Sequence, residues 1–95
     1  MAGIRINWSV YIIEASDRSY YTGITTDVAR RFEQHATGAQ GAKYFNGRTP
    51  LKVAYQEDGH TRSSASKREA EIKGLSRREK QDLIAGINQG TRKPT

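Results

Sequence analysis

Residues 8–14 read WSVYIIE and residues 20–24 read YYTGI. Both stretches are rich in β-branched and aromatic residues, which is typical of β-strands. The five residues between them, ASDRS, form a cluster that favours a turn, so the two stretches predict an antiparallel hairpin. Gly23, near the end of the second strand, indicates either a bulge or a close backbone approach.

A helix, a helical turn and a third strand are predicted after the hairpin. Residues 25–27 (TTD) are typical of a helix start, and we expect the helix to end at about Thr37. Residues 42–46 predict one short helical turn. Residues 51–56 predict a strand, which the turn-forming residues 57–59 are expected to end.

Two more helices are predicted in the last third of the chain. A serine at position 63 or 64 is expected to cap a helix over residues 65–73. Ser76 and Glu79 match a capping box, which predicts a last helix to about Ile87.

The predicted order of elements is therefore β-β-α-(α)-β-α-α. This order indicates an α/β (α+β) fold with a small, three-stranded, mostly antiparallel sheet flanked by helices. A chain of 95 residues is one domain on size alone. We expect that domain to span residues 8–88, after a lead-in of residues 1–7 and before a flexible tail of residues 89–95.

Composition excludes several classes of protein. The chain has no cysteine, which excludes disulfides, zinc–thiolate sites and thiol catalysis and fits a reducing, cytoplasmic location. The longest apolar run, residues 10–13, is far shorter than the roughly 20 residues of a membrane helix. We also expect no secretory signal, because no apolar stretch follows Met1.

The charge of the chain indicates a polyanionic partner. The formal net charge is +6, from 16 Lys and Arg against 10 Asp and Glu. Residues 28–56 hold five basic residues and one acidic residue, so most of the excess lies in the middle of the chain. A basic small domain with clustered charge is typical of nucleic-acid binding.

Polar side chains share the apolar stripe of the first predicted helix. Val28, Arg31, Phe32 and His35 lie at i, i+3, i+4 and i+7, so the arginine and the histidine are on the side that faces the core. One interpretation is that Arg31 reaches out to water and His35 stabilises the end of the helix as a cation. The other is that both line a functional site, because a charge beside the core needs a partner or a ligand.

The second long helix and the hairpin repeat this pattern. Glu69 shares a stripe with apolar residues, and it either pairs with Lys73 or serves a site. Tyr11 and Tyr21 lie at nearly equal distances from the hairpin turn, so pairing of the strands is expected to bring them close. They either pack or use their hydroxyl groups to orient or deprotonate water.

Together these residues resemble the GIY-YIG nuclease superfamily. Ser9-Val10-Tyr11 and Tyr21-Thr22-Gly23 are similar to its two signatures. Arg31, eight residues after that glycine, His35 four residues later, and Glu69 on a later helix match its characteristic residues. The resemblance covers about residues 8–84, and the chain looks most similar to the small, single-domain, bacterial YhbQ-like branch.

The chain departs from the family pattern at three places. Ser9 replaces the first glycine of the signature and Thr22 replaces the middle isoleucine, and neither position supplies chemistry in the family. The asparagine often found late in the family has no match except Asn88.

The resemblance implies a metal-dependent endonuclease that hydrolyses phosphodiester bonds, with DNA preferred to RNA. It implies one Mg²⁺ or Mn²⁺ ion on Glu69, bound weakly without substrate, because magnesium takes few carboxylates and keeps several waters. Arg31 suits the phosphate oxygens. Tyr11 is interpreted as the general base or its relay, Tyr21 as a positioner, and His35 as a second proton-transfer or phosphate-binding group. The sequence leaves the identity of the base open among Tyr11, Tyr21 and His35.

The middle of the chain supplies the predicted substrate contacts. Basic residues that alternate with aromatic ones suit a groove for a nucleic-acid backbone. The predicted contacts are Arg30, Lys43, Tyr44, Arg48 and Lys52. We expect neither a membrane nor a small-molecule cofactor.

Two other functions fit the sequence. One is a non-catalytic nucleic-acid-binding module on the same fold, within a DNA repair or processing complex. The other is an interaction domain whose basic face binds an acidic protein. An intact set of site residues favours the enzyme over both, since the fold alone does not determine function.

Overall fold

The sheet is built around the first strand of the hairpin. In the computed structural model, which describes residues 5–38 and 42–86, the strands are β1 (Trp8–Ala15), β2 (Tyr20–Thr25) and β3 (Pro50–His60). They form one antiparallel sheet in the order β2-β1-β3. Because β1 is central, β2 is left as an edge strand whose outer side has no strand partner among these residues.

Helices lie on both faces of this sheet. They are α1 (Val28–Thr37), a short 3₁₀ helix (Lys43–Phe45), α2 (Arg62–Lys73) and α3 (Arg77–Ile84). The predicted order of elements and the α+β class are therefore confirmed. In the described parts of the chain, no helix has the length and apolar character required to cross a membrane.

Alternation along β1 divides the core into two layers. Tyr11 and Ile13 point to the face that α1 and the 3₁₀ helix cover. Val10 and Ile12 point to the opposite face, where they pack with residues of α2 and α3. All four side chains are almost fully buried, so β1 contributes residues to both layers of the core.

The third strand is longer than predicted. It continues to His60, so the prediction that residues 57–59 end it was wrong. Acidic residues usually favour turns, but here their carboxylates are satisfied within the sheet. Glu57 accepts hydrogen bonds from neighbouring side chains, and Asp58 accepts one from Ser9 of β1 at 2.6 Å.

The start of α2 also differs from the prediction. Thr61 is the N-cap, and the helix begins at Arg62, so neither Ser63 nor Ser64 caps it. Ser64 is instead the third helical residue, and its hydroxyl accepts from the Thr61 N–H while Thr61 accepts from the Ser64 N–H. This reciprocal pair satisfies two backbone donors at once, which a cap at Ser63 or Ser64 would leave unpaired.

The other helix ends lie close to the positions predicted from the sequence. Asp27 caps α1, and Gly38 ends it with a left-handed backbone. The predicted capping box of Ser76 and Glu79 is confirmed at the start of α3. That helix ends at Ile84, earlier than predicted, and residue 87 lies outside the described residues.

Candidate active site

Three rings from three different elements meet on the α1 face of the sheet. Tyr11 comes from β1, Tyr21 from β2 and His35 from α1. The ring centroids of Tyr11 and His35 are 6.3 Å apart, and those of Tyr21 and His35 are 5.2 Å apart. The structure thus brings together three of the predicted site residues.

The two tyrosines are diagonal neighbours rather than a directly opposed pair. In the register of the hairpin Tyr11 faces Gly23, and Tyr21 faces Ile13. Their ring centroids are 6.3 Å apart, on the same face of the sheet. A β-carbon built on Gly23 would lie 2.6 Å from the Tyr11 hydroxyl oxygen, so the group that comes close to this glycine is a side chain.

His35 is buried and held at both ring nitrogens. The residue is 3% exposed. The backbone N–H of Ala42 donates to His35 Nδ1 at 3.2 Å, and His35 Nε2 lies 3.1 Å from the Tyr11 hydroxyl oxygen. Because Nδ1 accepts, the neutral ring carries its proton on Nε2 and donates it towards Tyr11.

The histidine is neutral at physiological pH. Burial, together with the positive charge of Arg31, lowers the pKa of His35 to about 4. A neutral His35 that already donates from Nε2 has no free lone pair facing Tyr11. It therefore acts on Tyr11 as a hydrogen-bond donor.

The Tyr11 hydroxyl is the electrostatic centre of the cluster. Burial raises the pKa of Tyr11 to about 12, and the nearby Tyr21 and Glu69 contribute in the same direction. Arg31 opposes this rise through its charge and through a hydrogen bond to the Tyr11 hydroxyl. The hydroxyl is thus within electrostatic reach of residues from β2, α1 and α2.

Glu69 belongs to α2, which packs on the face of the sheet opposite the three rings. Ala65 and Ile72 of α2 pack against the sheet, and α2 lies over β1 and β2. Glu69 is half-buried, on the flank of α2, and its Oε2 is 3.3 Å from the exposed Nζ of Lys73. The i, i+4 pair considered in the sequence is therefore present, and it coexists with the influence of Glu69 on Tyr11.

The chemistry of Glu69 suits a hard divalent cation. A carboxylate is an oxygen ligand of the kind that Mg²⁺ and Mn²⁺ take. No group of three or more potential metal ligands occurs within residues 5–38 and 42–86, so protein ligands alone do not complete a site there. Glu69 fits a weak, single-ion site that water and substrate complete. Asn88, the possible match to the family's late asparagine, lies outside the described residues.

One of the predicted substrate contacts, Tyr44, packs against this cluster. The ring of Tyr44 packs against that of Tyr21, with centroids 5.2 Å apart. Lys43 precedes it on the 3₁₀ helix and is exposed. Arg30 is exposed on α1, next to Arg31. Tyr44 therefore borders the site, whereas Lys43 and Arg30 are exposed side chains that adjoin site residues in sequence.

The other two predicted contacts are each paired with an acidic residue. Arg48 Nε donates to Asp17 Oδ2 at 2.8 Å, and its guanidinium lies 4.3 Å from the ring centroid of Tyr44. Lys52 Nζ is 3.9 Å from Glu14 Oε1 and pairs with that residue across the sheet. Since Glu14 follows Ile13 along β1, this pair lies on the face opposite the tyrosines. The structure does not bring Lys52 to the site.

Two residues of the site were not predicted from the sequence. Phe45 is buried against His35 and Tyr21, with ring centroids 4.7 Å and 5.3 Å away. Ala42 contributes only its backbone N–H, which fixes the tautomer of His35. Both lie in residues 42–46, which the sequence predicts only as a short helical turn.

The fold and the site together define a class of protein. The model of the GIY-YIG catalytic domain matches residues 7–82. The chain therefore belongs to the GIY-YIG family, as the resemblance implied.

Within that family the chain is similar to the UPF0213 proteins. It is 54% identical to the UPF0213 protein of Haloquadratum walsbyi, over 84% of this chain and 92% of that protein. It is 45% identical to the one from Desulfotalea psychrophila, over 87% of this chain and 76% of the relative. The solution NMR structure of the UPF0213 protein BH0048 from Bacillus halodurans is 42% identical, covers 90% of this chain and 88% of its own, and superposes with a TM-score of 0.53.

Proposed function

We propose that this protein is a metal-dependent endonuclease that hydrolyses phosphodiester bonds of nucleic acid, DNA in preference to RNA, at a single-metal site. The observation that carries the proposal is the environment of the Tyr11 hydroxyl. It receives a hydrogen bond from His35 and lies within electrostatic reach of the Arg31 guanidinium and the Glu69 carboxylate. A proton acceptor, a phosphate-binding cation and a metal-binding carboxylate are the groups that this hydrolysis requires.

Tyr11 is the group we assign as the proton acceptor. Water attacks phosphorus, the bond to the leaving oxygen breaks, and the proton of the water passes to the ionised Tyr11 oxygen. Burial holds the pKa of Tyr11 at about 12, so a cation held by Glu69 would have to lower it before Tyr11 accepts the proton; the donor His35 and the charge of Arg31 act in the same direction. His35 is not the base in this scheme, because its Nδ1 accepts from Ala42 and its Nε2 carries the proton.

The other residues bind and orient the substrate. Arg31 offers N–H donors to the non-bridging oxygens of the scissile phosphate. Tyr21, whose ring packs against His35, positions the water and the phosphate. A cation held by Glu69 supplies Lewis-acid polarisation of the phosphate and stabilises charge on the leaving oxygen.

A second function is favoured by one contact, the ion pair of Glu69 with Lys73 at 3.3 Å. A carboxylate that is already neutralised by a lysine binds a cation less readily. The alternative is a non-catalytic nucleic-acid-binding module on the same fold, within a DNA repair or processing complex.

Cleavage assays separate these two functions. Wild type, Glu69→Ala and Glu71→Ala are incubated with labelled single-stranded and double-stranded DNA and RNA, in magnesium, in manganese and in EDTA. Glu71 is the matched control, since it is an exposed carboxylate of the same helix that pairs with Arg68. We expect metal-dependent cleavage by wild type and Glu71→Ala and none by Glu69→Ala. Binding without cleavage on every substrate would establish the non-catalytic module instead.

We place this activity in the cytoplasm, as part of DNA repair or processing. The support is the absence of cysteine, which suits a reducing compartment. Fractionation of cells that express a tagged chain tests the location, and recovery of the protein outside the cytoplasm would contradict it.

A further inference from the structure

A second set of cations lies on the layer of α2 and α3. Residues 62–84 hold seven basic and four acidic residues. Three of the basic residues are paired: Arg68 with Glu57 and Glu71, Lys73 with Glu69, and Arg78 with Asp82. The remaining four have no ion pair with any residue that the structure describes. They are Arg62, Lys67, Arg77 and Lys80.

Two of these four cations are held against aromatic rings. The guanidinium carbon of Arg77 lies 4.7 Å from the ring centroid of Tyr20, and that of Arg62 lies 5.6 Å from the ring centroid of Trp8. Stacking occupies the flat face of a guanidinium and leaves its N–H donors at the edge. Both arginines are therefore partly ordered before a ligand arrives, which lowers the entropy cost of binding.

The Arg77 pair is adjacent to the candidate active site. Tyr20 and Tyr21 are consecutive residues of β2, so their side chains lie on opposite faces of this edge strand. Tyr21 belongs to the catalytic cluster on one face, and Tyr20 carries Arg77 on the other. A ligand that passes the outer edge of β2 can contact both.

The Arg62 pair lies at the other end of the sheet. Tyr20 faces Glu14 near the end of β1, whereas Trp8 is the first residue of β1. Six residues of strand separate these positions, which corresponds to about 20 Å. The same length of duplex carries about six phosphates on each strand.

We propose that Arg77 and Arg62 contact phosphates of the nucleic acid on either side of the cleaved bond, and so form a binding surface on the α2–α3 layer. This inference rests on the proposed function, since it assumes that the substrate is a nucleic acid. Continuity of the surface with the site through Tyr20 and Tyr21 favours the substrate backbone over a separate acidic protein. Arg77 and Arg62 have no ion pair among the described residues, whereas acidic side chains already hold Arg48 and Lys52.

The test measures binding without cleavage. The dissociation constant for a labelled 30-base-pair DNA duplex is measured by fluorescence anisotropy in EDTA, over a series of potassium chloride concentrations. Wild type is compared with Arg77→Ala, Arg62→Ala and Arg78→Ala. Arg78 is the matched control, because it is the neighbouring arginine, is exposed, and pairs with Asp82 without an aromatic partner.

Each phosphate contact that is lost is expected to reduce the slope of log binding constant against log salt by about 0.9. We therefore expect the magnitude of this slope to fall by about one for Arg77→Ala and for Arg62→Ala. For Arg78→Ala we expect the slope to change little. Equal losses for Arg77→Ala and Arg78→Ala would overturn the proposal, because only net charge would then matter. An equal effect of Arg77→Ala on binding to poly-glutamate would also overturn it.

Parallel cleavage assays in magnesium distinguish this proposal from the proposed function. A specific change of slope in a protein that never cleaves would support the phosphate contacts and reject the nuclease. Cleavage with unaltered slopes in both variants would support the nuclease and reject the contacts. Absence of any duplex binding by wild type would overturn the phosphate contacts on duplex DNA.

Discussion

The hydroxyl of Tyr11 crosses β2 directly above Gly23, where a β-carbon would lie 2.6 Å from the hydroxyl oxygen. Gly23→Ala must therefore displace the tyrosine. We expect a loss of cleavage of about 100-fold, the typical cost of misplacing a catalytic group by about 1 Å. Gly74→Ala is the matched control, because its β-carbon would meet backbone atoms only at ordinary contact distances of 3.5 and 3.6 Å. Equal activity of the two variants would show that the position of Tyr11 is unimportant.

Arg31 and Arg30 are neighbours on α1 with different environments. Arg31 interacts with Tyr11, whereas Arg30 is exposed. Arg31→Ala should reduce the rate of cleavage by about 100-fold to 1,000-fold, as loss of one charge-stabilising donor does. Arg30→Ala should weaken binding with little effect on the rate at saturating substrate. A fall in melting temperature for Arg31→Ala without a specific loss of activity would contradict the role of Arg31 on the phosphate.

The tautomer of His35 can be measured directly. Since the Ala42 N–H donates to Nδ1, we expect the protonated nitrogen at neutral pH to be Nε2. Long-range proton–nitrogen correlation spectra of the labelled protein distinguish the two nitrogens. A proton on Nδ1 would remove the donor towards Tyr11 and would return His35 to the possible general bases.

The depressed pKa of His35 makes stability depend on pH. The pKa is about 4 in the folded chain, against an ordinary value of about 6.5, so the unfolded state binds more protons between these values. The contribution of neutral His35 to the free energy of unfolding is therefore fully present above pH 6.5. It is lost as the pH falls towards 4. We expect the melting temperature at pH 5 to lie about 8–16 °C below that at pH 7, the shift for the roughly 2 kcal/mol that these two pKa values imply in a domain of this size.

His35→Gln is the control for that effect, since glutamine keeps a polar side chain that does not titrate. The difference in melting temperature between pH 5 and pH 7 should be smaller in this variant than in wild type. If the two differences are equal, groups other than His35 cause the acid sensitivity.

Glu57 links β3 to α2. Burial alone would raise the pKa of Glu57, but hydrogen bonds from Tyr55, His60 and Arg68 outweigh burial and lower it. Glu57→Gln should therefore cost about 1–3 kcal/mol of unfolding free energy, because the charged acceptor of several donors is lost. The control Glu71→Gln removes a single, exposed partner of Arg68 and should cost less than 1 kcal/mol. Denaturant unfolding of both variants measures the difference, and equal costs would contradict this role of Glu57.

Local patterns were sufficient to predict the fold. The hairpin follows from two strand-forming stretches and a turn, and α3 follows from its capping box. The predicted end of β3 failed because the acidic residues that usually form turns are stabilised there by distant side chains. Ser9 of β1 reaches Asp58, and Arg68 of α2 reaches Glu57. Contacts of that range are not visible in a local pattern.

The candidate site was predicted in part for a similar reason. Helical periodicity placed Arg31 and His35 on the inner face of α1, and the structure finds them beside the tyrosines. The sequence could not separate free cations from paired ones. Arg48 pairs with Asp17 and Lys52 with Glu14, and each pair joins segments that are more than 30 residues apart in the chain. Their catalytic and binding roles remain predictions.

The two-layer construction of the site has a consequence during synthesis on the ribosome. Tyr11, Tyr21, Arg31 and His35 all emerge early, whereas the carboxylate of Glu69 belongs to α2 and follows much later. Under the proposed function, a nascent or prematurely terminated chain without α2 has the residues assigned to the phosphate but no ligand for the metal. It also lacks Ala65 and Ile72, which cover Val10 and Ile12, so we expect no cleavage until α2 has been made and has packed on the sheet.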